Sequence, residues 1–214
     1  MIRSLMLSVL GVWLLVGCGD THRPVVRAVP DSANDEQAAS AESPEMPAAA
    51  SQTEVRLEAG GELKVGSLRF AVPKGWVQKQ PRSGFVLAEF GLPRAQGDAA
   101  DGRLTISTAG GTVQQNVERW KQQFGGKPQK ESQKSLQVEG VQVTLVDFSG
   151  SFLDQRGPSA PAEEHSGYRM FGAIIPVGSQ SYFVKAYGPE KTMAARADEF
   201  QKYIRSVKSS APSR

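Results

Sequence analysis

The amino-acid sequence predicts an α+β domain, in which amphipathic helices pack on an antiparallel sheet. Short runs of alternating apolar and polar residues, typical of strands, fill most of the chain after residue 54. Two segments with an apolar repeat of about 3.6 residues interrupt them, one in mid-chain and one near the end. Because no helix-length crossover separates the strands that follow the middle helix, we expect them to pair antiparallel.

The first strands are recognised from the turns that separate them. Residues 55–65 are predicted to form a hairpin around Gly60 and Gly61, and residues 68–72 alternate before Pro73 turns the chain. Two more strands are predicted at residues 84–90 and 103–107.

The middle helix carries signals at both ends. Its apolar stripe consists of Val113, Val117, Trp120 and Phe124. Thr112 and Gln115, three residues apart, form a capping-box sequence that sets the start. Gly125 and Gly126, followed by Pro128, set the end.

Strand patterns return after this helix and lead into a last helix. The predicted strands are residues 135–138, 142–148, 168–175 and 181–187. Pro189 and Glu190 open the last helix. Its predicted buried stripe is Met193, Ala197, Phe200, Ile204 and Val207. Asp147 and Lys185 fall at inward positions of their strands, so each needs a partner, either the other one or Arg169.

Residues 1–17 are predicted to be an export signal. Arg3 precedes an apolar run that is too short to span a bilayer. Leu15-Val16-Gly17-Cys18 resembles the lipobox of bacterial lipoproteins, which implies cleavage before Cys18 and acylation of its thiol. Gly19 follows, where enteric bacteria use Asp to retain lipoproteins in the inner membrane, and this favours the outer membrane. The ordinary alternative is a secretory signal with an incidental cysteine.

Composition divides the rest of the chain in two. Residues 18–54 are rich in Ala, Ser and Pro, with seven acidic residues against two arginines, and are predicted to be a disordered tether. Residues 55–214 carry 22 Lys and Arg against 15 Asp and Glu, a net charge of +7, which suits an anionic partner. The export signal argues against nucleic acid. Cys18 is the only cysteine, so the domain lacks disulfides, thiolate metal sites and cysteine nucleophiles.

Catalytic signals are sparse. His165 lies in a polar segment, residues 150–167, beside Glu163 and Glu164, and we expect this segment to be an exposed loop. The sequence contains no HExxH or GxSxG spacing, so we expect no metal, no cofactor and no catalytic residues. The alternative is a cell-envelope hydrolase that uses the 150–167 loop as a lid.

A candidate binding face lies around the start of the middle helix. It comprises Gly110, Gly111, Asn116, Arg119 and Trp120. The two glycines either present backbone N–H groups to an anion or only allow the sharp turn that Thr112 caps. Asn116 lies at the edge of the apolar stripe, either as a structural amide that ties down the neighbouring loop or as part of a binding face. Trp120, on the stripe itself, is also predicted to be core.

Three segments resemble the PsbP-like fold, which the photosystem II extrinsic protein shares with a Ran-binding nuclear-import factor. They are Phe70-Ala71-Val72-Pro73-Lys74-Gly75-Trp76, the middle helix with Asn116 and Trp120, and the closing strand-Gly-Pro-helix of residues 182–207. Residues 110–122 also resemble a GG…N..RW..Q pattern of lipoproteins in planctomycete-type bacteria. The resemblance covers about residues 55–208 and implies a non-catalytic binding or assembly module, without specifying a ligand.

Together these observations predict an envelope lipoprotein, anchored by lipid at Cys18 to the periplasmic face of the outer membrane. Residues 55–208 would be its PsbP-like domain and residues 209–214 a flexible tail. Its expected partners are the membrane, through the anchor, and an envelope protein or an anionic ligand. A purely structural envelope component is the third class that the sequence leaves open.

Overall fold

The structure, a computed structural model, describes residues 53–155 and 161–210, all within the compact unit Ala48–Arg214. The predicted signal peptide, Cys18 and almost all of the tether lie outside the described residues, as do residues 156–160 and 211–214. Within the described part of the chain, no helix has the length and hydrophobicity of a membrane span.

The described residues form eleven strands and three helices. In chain order these are β1 (Val55–Leu57), β2 (Glu62–Val65), β3 (Leu68–Ala71), β4 (Val77–Lys79), β5 (Val86–Leu92), β6 (Gly102–Ala109), α1 (Val113–Gln122), β7 (Lys130–Val138), β8 (Val141–Asp154), β9 (Glu163–Val177), β10 (Gln180–Pro189), α2 (Glu190–Ala195), α3 (Ala197–Arg205) and β11 (Lys208–Ser209). The α+β class is confirmed. The strands divide between two sheets where the sequence predicted one, in the orders β1-β2-β3-β11 and β4-β5-β6-β10-β9-β8-β7.

Every described strand pair is antiparallel, and the seven-stranded sheet buries both faces. One face, here the α1 face, packs against helix α1 through residues such as Phe183 and Tyr187. The other, the α3 face, packs against α3 and the small sheet through residues such as Tyr182 and Val184. These four residues alternate along β10, as side chains of a strand must.

Elements with local sequence signals form as predicted. Gly60 and Gly61 both have positive φ at the turn between β1 and β2. Thr112 and Gln115 make both hydrogen bonds of the capping box at the start of α1. Pro189 is the N-cap residue of α2.

The prediction of a loop over residues 150–167 is wrong at both ends of this segment, which are strands. β8 continues to Asp154 and β9 begins at Glu163, and the two strands pair in this region, with Phe152 opposite His165. The register shifts between Gly150 and Phe152, which obscures the alternation of residues.

Other differences arise where short or irregular elements leave no pattern. The predicted last helix is two helices, because Arg196 leaves helical geometry at φ −101° and ψ 1°. Strands β4 and β11, of three and two residues, were not predicted. The domain also begins before residue 55, since the Glu54 carbonyl accepts a hydrogen bond from Gly66 N.

Candidate functional site

Asn116 is buried, with 3% of its surface exposed. Its Nδ2 donates to the carbonyl oxygens of Gly110 (3.2 Å) and Thr112 (2.9 Å), and its Oδ1 accepts from Arg119 Nη1 (2.9 Å). The amide therefore ties the turn before α1 to the helix. Gly110, Gly111 and Arg119 are exposed, and Gly111 takes a φ of 95° that favours glycine. That these residues form a binding face stays a prediction.

Trp120, the fifth member of that face, packs in the core of the α1 face. Only 8% of its surface is exposed, and its ring meets Phe183 edge-on at 6.0 Å. The indole lies directly over Gly172 of β9, where any side chain would overlap it. Trp120 and Asn116 are therefore buried, and of the five residues of the predicted binding face only Gly110, Gly111 and Arg119 are exposed to solvent.

His165, the histidine of the hydrolase alternative, lies on β9. Its imidazole stacks on the Tyr168 ring at 4.6 Å with an angle of 13°. Its Nε2 is 3.7 Å from Glu163 Oε2. Among the described residues, no group of three His, Cys, Asp or Glu side chains is placed to hold a metal ion.

A chain of hydrogen bonds between charged and polar side chains crosses the α1 face. Arg103 holds Glu89 through two bonds, Nε to Oε1 (3.0 Å) and Nη2 to Oε2 (2.8 Å), and donates from Nη1 to Tyr187 Oη (2.7 Å). Tyr187 in turn donates to Asp154 Oδ1 (3.0 Å). The hydrogen bond from Arg103 lowers the pKa of Glu89, and burial raises the pKa of Tyr187 to about 12. This network stabilises the sheet, because each of its polar groups has a hydrogen-bond partner within it.

Lys185 stands beside this network. Its Nζ donates to Gln123 Oε1 (3.2 Å) and lies 4.9 Å from the centre of the Tyr187 ring. Burial, together with the charge of Arg103, lowers the pKa of Lys185 to about 8. Lys185 pairs with neither Asp147 nor Arg169, because these two residues pair with each other on the opposite face of the sheet.

A cleft opens on the α3 face between β7, β8 and α3, and is called here the α3 cleft. It encloses about 260 Å³. Its apolar lining includes Leu136, Leu145, Phe171 and Phe200, and its polar lining includes Lys134, Asp147, Arg169 and Arg205. A second cleft of about 200 Å³ adjoins it, and the two share Ser132, Asp147 and Arg169.

Arg169 and Asp147 lie between the two clefts as a bidentate pair. Nε donates to Oδ1 (2.8 Å) and Nη2 to Oδ2 (2.6 Å), while the guanidinium lies 4.8 Å from the centre of the Phe171 ring. The hydrogen bond to Asp147 raises the pKa of Arg169. In this salt bridge the opposite charges of the guanidinium and the carboxylate neutralise each other.

Lys134 and Arg205 are the remaining cations of the α3 cleft, and both are exposed. In the described part of the chain neither forms an ion pair. The cleft thus combines an apolar lining with a net positive rim. The sequence did not predict this cleft, because residues 130–135 of β7 are exposed on both faces and show no alternating pattern.

No family model and no curated protein matches the chain. Several solved structures are similar to it, among them the following three. Cyanobacterial PsbP (CyanoP) from Synechocystis sp. PCC 6803 has a TM-score of 0.42 and 10% identity, over 67% of this chain and 86% of that one. A protein from Bacteroides thetaiotaomicron VPI-5482 has a TM-score of 0.40 and 12% identity, over 76% of this chain and 50% of that one. A Pseudomonas aeruginosa protein of unknown function has a TM-score of 0.39 and 8% identity, over 72% of this chain and 94% of that one.

Proposed function

We propose that the chain is a lipid-anchored envelope protein with a PsbP-like domain that acts as a non-enzymatic binding module, and that the α3 cleft is its binding site. The observation that carries the proposal is the pairing of an apolar lining with two exposed cations, Lys134 and Arg205, that have no carboxylate partner among the described residues. Such a cleft favours a ligand that presents an acidic group beside an apolar one.

The charges of the cleft support an anionic ligand. Arg169 is already neutralised by Asp147, so Lys134 and Arg205 leave the rim with a charge of about +2. Charges beside an apolar lining are less screened by water than charges on an open surface. Both cations therefore attract an acidic group bound in the cleft.

The anchor is supported by the sequence around Cys18. If the thiol carries the lipid, Cys18→Ala abolishes incorporation of labelled palmitate into the full chain, and it either removes the protein from the membrane fraction or leaves it as an unprocessed precursor. Labelled palmitate on the Cys18→Ala protein would contradict this part of the proposal.

The binding site is tested by reversing its charges. Full-length protein, purified in detergent and immobilised, is mixed with an extract of its native envelope, and retained proteins are identified by mass spectrometry. We expect Lys134→Glu/Arg205→Glu to lose the partner that the wild type retains. The matched control, Lys74→Glu/Lys127→Glu, reverses two exposed lysines away from the cleft that form no ion pair among the described residues. Equal retention by both double variants would contradict the assignment.

A further inference from the structure

Strand β7 forms one edge of the seven-stranded sheet. It pairs with β8 along its whole length, from Lys130 opposite Ser149 to Val138 opposite Val141, and with no other strand of the described chain. Its nine residues exceed the three of β4 at the opposite edge. A strand in this position leaves about half of its backbone N–H and C=O groups pointing away from the sheet.

The side chains of β7 alternate between two environments. Ser132, Lys134 and Leu136 lie opposite Asp147, Leu145 and Val143 on the α3 face, and they line the α3 cleft, which Ser135 also borders. Glu131 points to the α1 face, where Lys121 Nζ lies 3.0 Å from its carboxylate. A further strand beside β7, at the usual spacing of about 4.8 Å, would direct every second side chain toward the α3 cleft.

The cleft specifies the kind of side chain that such a strand would carry. Lys134 and Arg205 favour acidic groups, whereas Leu136 and Phe200 favour an aliphatic group between them. Residues 55–214 carry a net charge of +7, which also attracts acidic groups and acts over a longer range.

We propose that β7 and the α3 cleft together bind an extended acidic peptide segment of a partner protein, which adds to the sheet as an eighth strand. Its backbone pairs with the outer edge of β7, and acidic and aliphatic side chains at every second position enter the cleft. This inference rests on the proposed function and names the partner's chemistry.

Edge lysines also keep sheets from pairing with one another, and that role is compatible with this proposal. Two copies of β7 placed side by side would bring Lys130 and Lys134 of both chains together, so self-pairing is repelled. An acidic strand is instead attracted by the same two lysines. The charges that protect the edge therefore select its partner.

A designed peptide tests the proposal. Fluorescent Thr-Glu-Thr-Val-Thr-Glu-Thr presents Glu and Val on one face and is titrated with full-length protein in detergent, with anisotropy as the readout. We expect the analogue with Lys in place of Glu to bind at least about tenfold more weakly. We also expect Lys134→Glu/Arg205→Glu to reverse this preference and Lys74→Glu/Lys127→Glu to preserve it.

Backbone pairing is tested by N-methylation. In one analogue the Thr nitrogens are methylated, and in the other the Glu and Val nitrogens. Because alternate N–H groups of a strand point to opposite edges, we expect one analogue to lose binding and the other to keep it. Equal affinity of the two analogues would overturn strand addition, and the envelope experiment above would still decide the proposed function independently.

The chain's own acidic tether is the competing occupant. We expect the variant in which Asp31, Asp35, Glu36, Glu42 and Glu45 are replaced by their amides to bind the peptide with unchanged affinity. A gain of about tenfold or more would show that the tether fills the site, because a tethered competitor acts at a high local concentration, and it would overturn the assignment to a partner protein.

Discussion

Helix α1 approaches the seven-stranded sheet closely at Gly172. The backbone of Gly172 does not have positive φ, so glycine is required there for space and not for conformation. A methyl group at residue 172 would overlap the Trp120 ring and lie 2.7 Å from Val146 Cγ2. We predict that Gly172→Ala lowers the free energy of unfolding by about 1–3 kcal/mol through overpacking.

The same contact allows a second variant to relieve the first. Trp120→Ala alone removes a buried indole and leaves a cavity, at a cost of about 3–5 kcal/mol. In the double variant the methyl group of Ala at 172 occupies part of that cavity and no longer meets a ring. We therefore expect the double variant to lose about 1–2 kcal/mol less than the sum of the two single losses.

Urea unfolding followed by far-UV circular dichroism measures all three variants. The control is Gly84→Ala, because Gly84 also lacks positive φ and a methyl group there would meet nothing within 4 Å. We expect this control to change stability by less than about 0.5 kcal/mol. Overpacking between Gly172 and Trp120 is excluded if Gly172→Ala is as harmless as Gly84→Ala, or if the two single losses add up in the double variant.

Three further predictions concern single side chains. Asn116→Ala should cost about 1–3 kcal/mol in the same titration, since it removes the hydrogen bonds of a buried amide to the turn, whereas exposed Gln114→Ala should cost less than about 0.5 kcal/mol. Tyr203→Phe removes a buried hydroxyl that has no hydrogen-bond partner among the described residues, so its melting temperature should stay equal or rise, and a clear drop would contradict this. The pKa of Lys185 is about 8 in the fold against 10.5 ordinarily, so between these values the unfolded chain binds more protons and stability rises with pH. Because Lys185→Met lacks this titrating group, its urea midpoint should rise less than that of the wild type between pH 8 and about 10.

The elements that form as predicted are those whose sequence signals are local. The capping box of Thr112 and Gln115 and the glycines at residues 60 and 61 act within a few residues, so their consequences can be read without the rest of the fold. The sequence offered Asp147 two partners, Lys185 and Arg169. Arg169 lies on the same face of the sheet as Asp147 and Lys185 lies on the other, which follows only from the strand pairing.

The remaining features depend on neighbours that are distant in sequence. Residues 130–135 of β7 are exposed on both faces, so no alternation marks this half of the strand. The strand at Glu163 exists because β8 extends alongside it. The α3 cleft joins Lys134, Phe171 and Arg205 from three separate elements, and their proximity follows only from the strand order and the position of α3.

The small sheet connects the beginning and end of the described chain. Strand β11 pairs with β3, and Ser210 Oγ donates to the Ser67 carbonyl over a separation of 143 positions. Contacts between such distant residues close late in folding, because a long loop must be ordered first. When the chain emerges from a narrow pore with its N-terminus leading, β3 remains without this neighbour until Lys208 has passed. A domain whose β3 pairs with β11 therefore completes its small sheet only after Lys208 and Ser209 have left the pore.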